Sequence, residues 1–207
     1  MSVINKLATS LGRRDEVPNV ELAKEIVASG SNKAITELVD NLKNKDKNIQ
    51  ADCLKALYET GYLKPELIAS YAPEFIALLD NKSNRMVWGA MIAIDTITPE
   101  NPKAVFGALA KIIAKSDAGT VITKDHAVDI LVKLCGVKEY MNTCFPLLNE
   151  QILRSPVNQL PTYAEKAATI VNDKYKPVLL KTLEVRLEDV SQDTKRKRLE
   201  KVIKKLK

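Results

Sequence analysis

An all-α solenoid is the fold this sequence predicts, on three observations. A small side chain returns at one helical position every 37 residues, at Cys53, Ala90, Ala127 and Ala164. Leu57, Ile94, Leu131 and Ala168 keep step four residues on, and Thr60, Ile97, Leu134 and Val171 seven residues on. The 207 residues are 45% hydrophobic and only 5% aromatic, with 7 Gly and 9 Pro, which suits helices better than a sandwich of short strands. With a fixed period of this length, each unit buries its apolar face only against its neighbours.

The clearest unit runs over residues 36–61. Leu38, Val39 and Leu42 recur at helical spacing, and after a polar stretch so do Ile49, Cys53, Leu54, Ala56 and Leu57. Asp46 and Asn48 are candidate caps of the second helix and Gly61 its candidate stop. Shifted by 37, residues 73–97 align without a gap: Phe75, Ile76 and Leu79 mark the first helix, and Met86, Ala90, Met91, Ala93 and Ile94 the second, with Ser83 as its cap. The third unit pairs residues 102–116 with 120–136 across the turn Asp117 to Gly119, and the fourth pairs 139–153 with 160–173. Segments 175–190 and 194–206 make a fifth pair, and 3–11 with 20–30 a divergent opening one. With no long linker, residues 1–207 read as one repeat domain: an opening pair in 1–30, repeats over 31–173, and a basic closing pair in 174–207.

These units resemble HEAT repeats of the armadillo-like class. The family pattern has a Pro early in the first helix, paired aliphatics, a turn Asp, then Val-Arg-x-x-Ala-x-x-Ala-Leu. Pro73 and the Phe75–Leu79 stretch match its first part. Ile49, Cys53, Ala56 and Leu57 match the second, as do Met86, Ala90, Ala93 and Ile94. The Arg position instead holds Gln50 and Val87, so the family's Asp–Arg ladder is missing there. The resemblance implies a right-handed α-solenoid of about six stacked antiparallel helix pairs, in which the second helix of each pair lines the concave face.

Turning about 100° per residue from Cys53 gives the arc on which a partner would sit. It carries Lys55, Tyr58 and Glu59, with Ala51 and Asp52, in the first repeat; Trp88, Gly89, Ile92 and Asp95 in the second; Asp125, His126 and Asp129 in the third; and Lys166 in the fourth. Trp88, Ile92 and Tyr58 would form an apolar, aromatic cluster beside Asp95, Asp125 and Asp129, with Lys55 and Lys166 at its ends. Trp88 is either a binding anchor, offering a large area with a polar tip, or a core residue tilted between neighbouring second helices. The aspartates read as a solvated polar face and His126 as an exposed bystander.

The expected function is therefore that of a non-catalytic scaffold, holding a protein or peptide partner on the face built by Lys55, Tyr58, Trp88, Ile92, Asp95, Asp125, Asp129 and Lys166. The sequence contains no GxGxxG, GxxxxGK[ST] or GxSxG, and one histidine. No cofactor or metal is expected, and Cys53, Cys135 and Cys144, without a CxxC, offer no zinc pattern. The alternative is an enzyme or nucleic-acid binder. One family of alkylpurine DNA glycosylases is built from HEAT-like repeats with an aromatic cleft and an aspartate. That family places the aspartate four residues after a tryptophan, where this chain has Ile92.

Net charge is +6, but residues 174–207 hold 12 Lys/Arg against 5 Asp/Glu. The basic end either contacts nucleic acid, an anionic membrane or an acidic partner, or is a closing helix whose lysines keep the array soluble. The longest apolar run, Met86 to Ile94, is far short of the ~20 residues of a membrane span. The opening MSVINKLATSLGRRDE lacks the apolar stretch of a signal peptide, so a cytoplasmic location is expected.

Overall fold

A computed structural model of the chain describes residues 2–207, leaving Met1 outside the described residues. Twelve α-helices and no strand occur among these residues. Contacts divide the chain into two units, one ending at Ala127 and one running from Val128 to Lys207.

In the first unit the segment expected as an opening helix over 3–11 is a single 3-10 turn, Val3–Lys6, capped by Ser2. A buried polar knot explains the departure. Asn19, fully buried on α1 (Val17–Ser29), accepts a hydrogen bond from the Ala8 backbone at 3.0 Å and donates one to Asp52 at 3.0 Å. Asp52 in turn accepts from the Thr9 backbone at 2.8 Å. These bonds satisfy backbone N–H groups that a longer helix would have used internally. Helix α1 stops at Gly30, whose φ of 61° is the left-handed geometry of a helix C-cap.

Helix α2 (Asn32–Asp40) and α3 (Lys47–Leu63) form the first regular pair, and Asp46 caps α3 as expected by accepting from the Asn48 backbone at 2.8 Å. Gly61 does not stop α3, which continues to Leu63. It lies where α3 meets α5 (Asn84–Ile97), and a Cβ there would stand 2.2 Å from Thr96 Oγ1 and 2.8 Å from Ile68 Cδ1. A second close approach occurs at Gly89, where a Cβ would come within 2.7 Å of Leu54 Cδ2. Gly→Ala at an exposed helical position stabilises by about 1 kcal/mol. At Gly61 overpacking, typically about 1–3 kcal/mol, reverses the sign. Urea melts of Gly61→Ala should therefore show a loss of roughly 1 kcal/mol; a gain would mean that α3 and α5 do not meet at this point.

Helix α4 (Ala72–Leu78) pairs with α5, whose N-cap is Ser83 as expected, although its hydroxyl makes no capping bond. The first helix of the third repeat is broken into α6 (Pro102–Gly107) and α7 (Leu109–Asp117). Helix α8 (Val121–Cys135) gives its first half to this unit and its second half to the other.

The second unit holds α9 (Met141–Arg154), α10 (Leu160–Ala167), α11 (Lys176–Leu187) and α12 (Asp193–Leu206). Arg186, 92% buried, reaches the C-terminal end of α9. It donates to the carbonyls of Ile152 and Ser155 at 2.9 Å each and to that of Leu153, and pairs with Asp189 at 2.7 Å. A helix end leaves its last carbonyls short of intrahelical donors; that of Ile152 also accepts from the Ser155 N–H and hydroxyl.

The 37-residue row is the core. Cys53, Ala90, Ala127 and Ala164 are all fully buried, as are Leu57, Ile94, Leu131, Thr60, Ile97 and Leu134. Only the fourth repeat relaxes, where Ala168 and Val171 are half-buried because α10 ends at Ala167. Polar stitches repeat at nearly the same interval. Thr36 meets Tyr71, Lys111 meets Asp80 and Arg198 meets Glu165, separations of 35, 31 and 33 residues. Within each unit, then, such contacts tie helices of neighbouring repeats, as stacked repeats require.

Candidate functional site

The expected surface in the first unit is built on α3 and α5. Residues at i, i+3 and i+4 share a helix face, which puts Lys55, Tyr58, Glu59 and Tyr62 together on α3. Lys55 is the most constrained of them. Its ammonium lies 2.8 Å from Glu59, 2.9 Å from Glu16 and 4.9 Å over the Tyr58 ring. Burial alone would lower its pKa, but Glu59 and Glu16 outweigh burial and hold Lys55 above the usual lysine range. Burial also pushes the Tyr58 phenol up, with Lys55 opposing it.

Trp88 is half-buried rather than fully core or fully open. Its ring lies 6.5 Å from that of Tyr58, tilted by 57°, and Tyr62 meets Tyr58 edge-on at 6.2 Å. Tyr58 is itself buried, and Tyr62 is 54% exposed, so two accessible aromatics flank a covered one. Arg85, one turn before Trp88, lies 3.7 Å from Glu16 and 3.9 Å from Asp52. Beside this group opens a cleft of about 590 Å³, whose lining includes Lys47, Gln50, Asp80, Lys82 and Arg85.

Several expected members of the face are placed differently. Ile92 and Asp95 are buried, at 6% and 4% exposure, as are Ala51 and Asp52. Every residue of α5 from Gly89 to Ile97 is buried: apart from Asp95 and Thr96 the stretch is apolar around the whole helix, and it is covered on all sides. Asp95 is not a solvated carboxylate on an open wall; it bonds His126 Nδ1 at 2.9 Å. His126 is accordingly no exposed bystander, for its side chain is only 18% exposed. Asp125 is half-buried on α8.

In the second unit Asp129 and Lys166, one period apart, form an ion pair, which shows equivalent positions of successive repeats facing each other. Exposed pairs of this kind add less than about 1 kcal/mol. Burial raises the thiol pKa of Cys53 and Cys135 to about 12 and of Cys144 to about 11. All three are therefore uncharged, weakly nucleophilic thiols at neutral pH.

Tyr62, Glu16 and Arg85 escaped the sequence reading. Reading Gly61 as the end of α3 cut off Tyr62, though its spacing of four from Tyr58 is a visible helical signal. Glu16 arrives from the segment before α1 and carries no pattern linking it to Lys55.

No protein-family profile and no curated protein matches this chain. Solved structures do. The chain is similar over its full length to the crystal structure of an engineered protein, at 19% identity and a TM-score of 0.67, covering 97% of that chain. It is also similar to a designed armadillo repeat protein in complex with the peptide (KR)4, at 17% identity and a TM-score of 0.70, over 92% of each chain. A third likeness is to computationally designed armadillo repeat proteins for modular peptide recognition, at 17% identity and a TM-score of 0.65, covering 90% of this chain and 91% of that one. The fold is thus an all-α solenoid of the armadillo-like kind. No described helix is long and apolar enough to cross a membrane.

Proposed function

We propose that this chain is a protein-interaction scaffold that captures a protein or peptide segment on the α3–α5 face of its first unit. The observation that carries the reading is the accessible pair Trp88 and Tyr62 flanking buried Tyr58, beside the Glu16–Lys55–Glu59 charge group. Aromatic side chains that offer area and a polar tip at low entropic cost are preferred anchors of interfaces. Their ring faces accept apolar groups or the cations of a partner's Lys and Arg. Lys55 is held on two sides, so the face is organised before a partner arrives, which reduces the ordering cost of binding. Two of the similar designed proteins are described as bound to a peptide or built for peptide recognition, which supports a peptide-like partner.

Affinity capture with the intact chain and with Trp88→Ala tests this. An anchor contributes at least ~2 kcal/mol, so the variant should hold its partner roughly thirtyfold more weakly while retaining its helicity. Capture within twofold of the intact chain would place the binding surface elsewhere.

A further inference from the structure

We propose that the outer face of α12 binds the phosphodiester backbone of nucleic acid without regard to sequence. This surface belongs to the second unit and is separate from the aromatic face of α3 and α5. Helix α12 turns about 100° per residue, so Leu199, Val202, Ile203 and Leu206 fall within one arc of about 100°. That arc is the buried one, with exposures of 0–7%. Lys197, Lys201, Lys204 and Lys205 fall within a second arc of similar width, facing the opposite way. All four are exposed.

The other cations of α12, and Lys207 just after it, have partners within the unit. Arg196 pairs with Glu200 at 3.2 Å, Arg198 with Glu165 at 2.6 Å, and Lys207 with Glu184 at 3.0 Å, while Lys195 bonds Asn158. Among the described residues no ion pair reaches the four lysines of the outer arc. Lys201 adds only its field to that of Arg198 at Glu165.

The chemistry of the ridge selects its occupant. At a rise of 1.5 Å per residue, Lys197 to Lys205 spans about 12 Å, the length of three to four phosphates along one strand of a duplex. The amphipathic route to a membrane is closed, since insertion needs an apolar face and that of α12 is already packed inside the unit. The outer arc has no apolar anchor of the kind that an acidic protein partner would bury. Lysine ammonium groups are point charges suited to phosphate contacts, which position a backbone and carry no base information.

The test uses a fluorescent 20-base-pair duplex of arbitrary sequence and the full chain, with anisotropy read from about 50 to 200 mM salt. Neutralising three to four phosphates predicts a log–log slope near −3 to −3.5, so affinity should fall roughly a hundredfold over that range. Lys197→Gln, Lys201→Gln, Lys204→Gln and Lys205→Gln together should abolish the slope. A charge-matched variant with Lys24, Lys33, Lys43 and Lys103 each replaced by Gln should keep it. Equal loss in both variants, showing that binding follows net charge alone, overturns the proposal. So does the absence of binding at 50 mM, or binding to vesicles of four parts phosphatidylcholine to one part phosphatidylserine in place of the duplex. Circular dichroism of both variants verifies that the substitutions, all at exposed positions, leave the helices intact.

Discussion

Replacing Arg186 by methionine is expected to cost roughly 3 kcal/mol of stability. The guanidinium is the partner of the Ile152, Leu153 and Ser155 carbonyls at the C-terminal end of α9. Methionine keeps much of the aliphatic volume but donates nothing. The Ile152 carbonyl keeps the Ser155 N–H and hydroxyl as donors, but those of Leu153 and Ser155 lose theirs. Each buried acceptor left unsatisfied costs about 1–3 kcal/mol, and the favourable meeting of a cation with a helix C-terminus is lost as well. Water reaches the partly exposed Leu153 carbonyl and softens the loss there, which keeps the total near the lower end of the sum. Lysine at the same position keeps the charge but cannot fork to three carbonyls, so Arg186→Lys should recover only part of the loss. Guanidinium denaturation of both variants reads this directly. A loss below ~1 kcal/mol in Arg186→Met would mean that the α9 terminus is satisfied another way.

The second large effect is expected in the 37-residue row. Ala90 is fully buried, as are its equivalents Cys53, Ala127 and Ala164. A small residue at this position lets neighbouring helices approach, and leucine would force extra carbons into a space with no room for them. Overpacking typically costs about 1–3 kcal/mol. Ala90→Leu should reach the upper end of that range, because α5 is covered on all sides and cannot turn the side chain outward. Leucine at Ala168, in the neighbouring row where the other repeats carry Leu57, Ile94 and Leu131, meets a half-buried site in the looser fourth repeat and should cost under about 1 kcal/mol. Thermal melts of the two variants compare the small-residue row with a position where the other repeats hold a large aliphatic, and equal losses would show that the small-residue row does not govern packing.

The repeat core was legible because its signal is redundant. A small residue, Cys once and Ala three times, recurs at one interval, accompanied by Leu57, Ile94, Leu131 and Ala168 four residues on and Thr60, Ile97, Leu134 and Val171 seven on. The caps were legible too where the side chain acts locally, as at Asp46. Contacts made at long range were not. Asn19 and Asp52 are ordinary polar residues in the chain, and only folding shows that they tie Ala8 and Thr9 to α1 and α3. Arg186 reads as one more cation of a basic end until its three carbonyl partners are seen.

The surface reading failed where a simple helical wheel fails. It assumes one buried side per helix, and α5 has no open side from Gly89 to Ile97, so Ile92 and Asp95 fell on the wrong side of the division. The unbroken apolar run from Met86 to Ile94, longer than one face of a helix needs, was the available warning. Tyr62 was lost to a glycine read by propensity, although Gly61 sits inside α3 for a steric reason. Beside Tyr58 the fold therefore gathers one expected aromatic, Trp88, and one unforeseen, Tyr62.

Hydroxyl-radical footprinting of the chain with and without a captured partner tests the scaffold account most directly, because Trp88 and Tyr62 are reactive aromatics reachable from solvent. Oxidation at both residues should slow several-fold in the complex, while buried Tyr58 stays unreactive in either state. Unchanged oxidation at Trp88 and Tyr62 with partner bound would contradict the account and move the binding surface off α3 and α5.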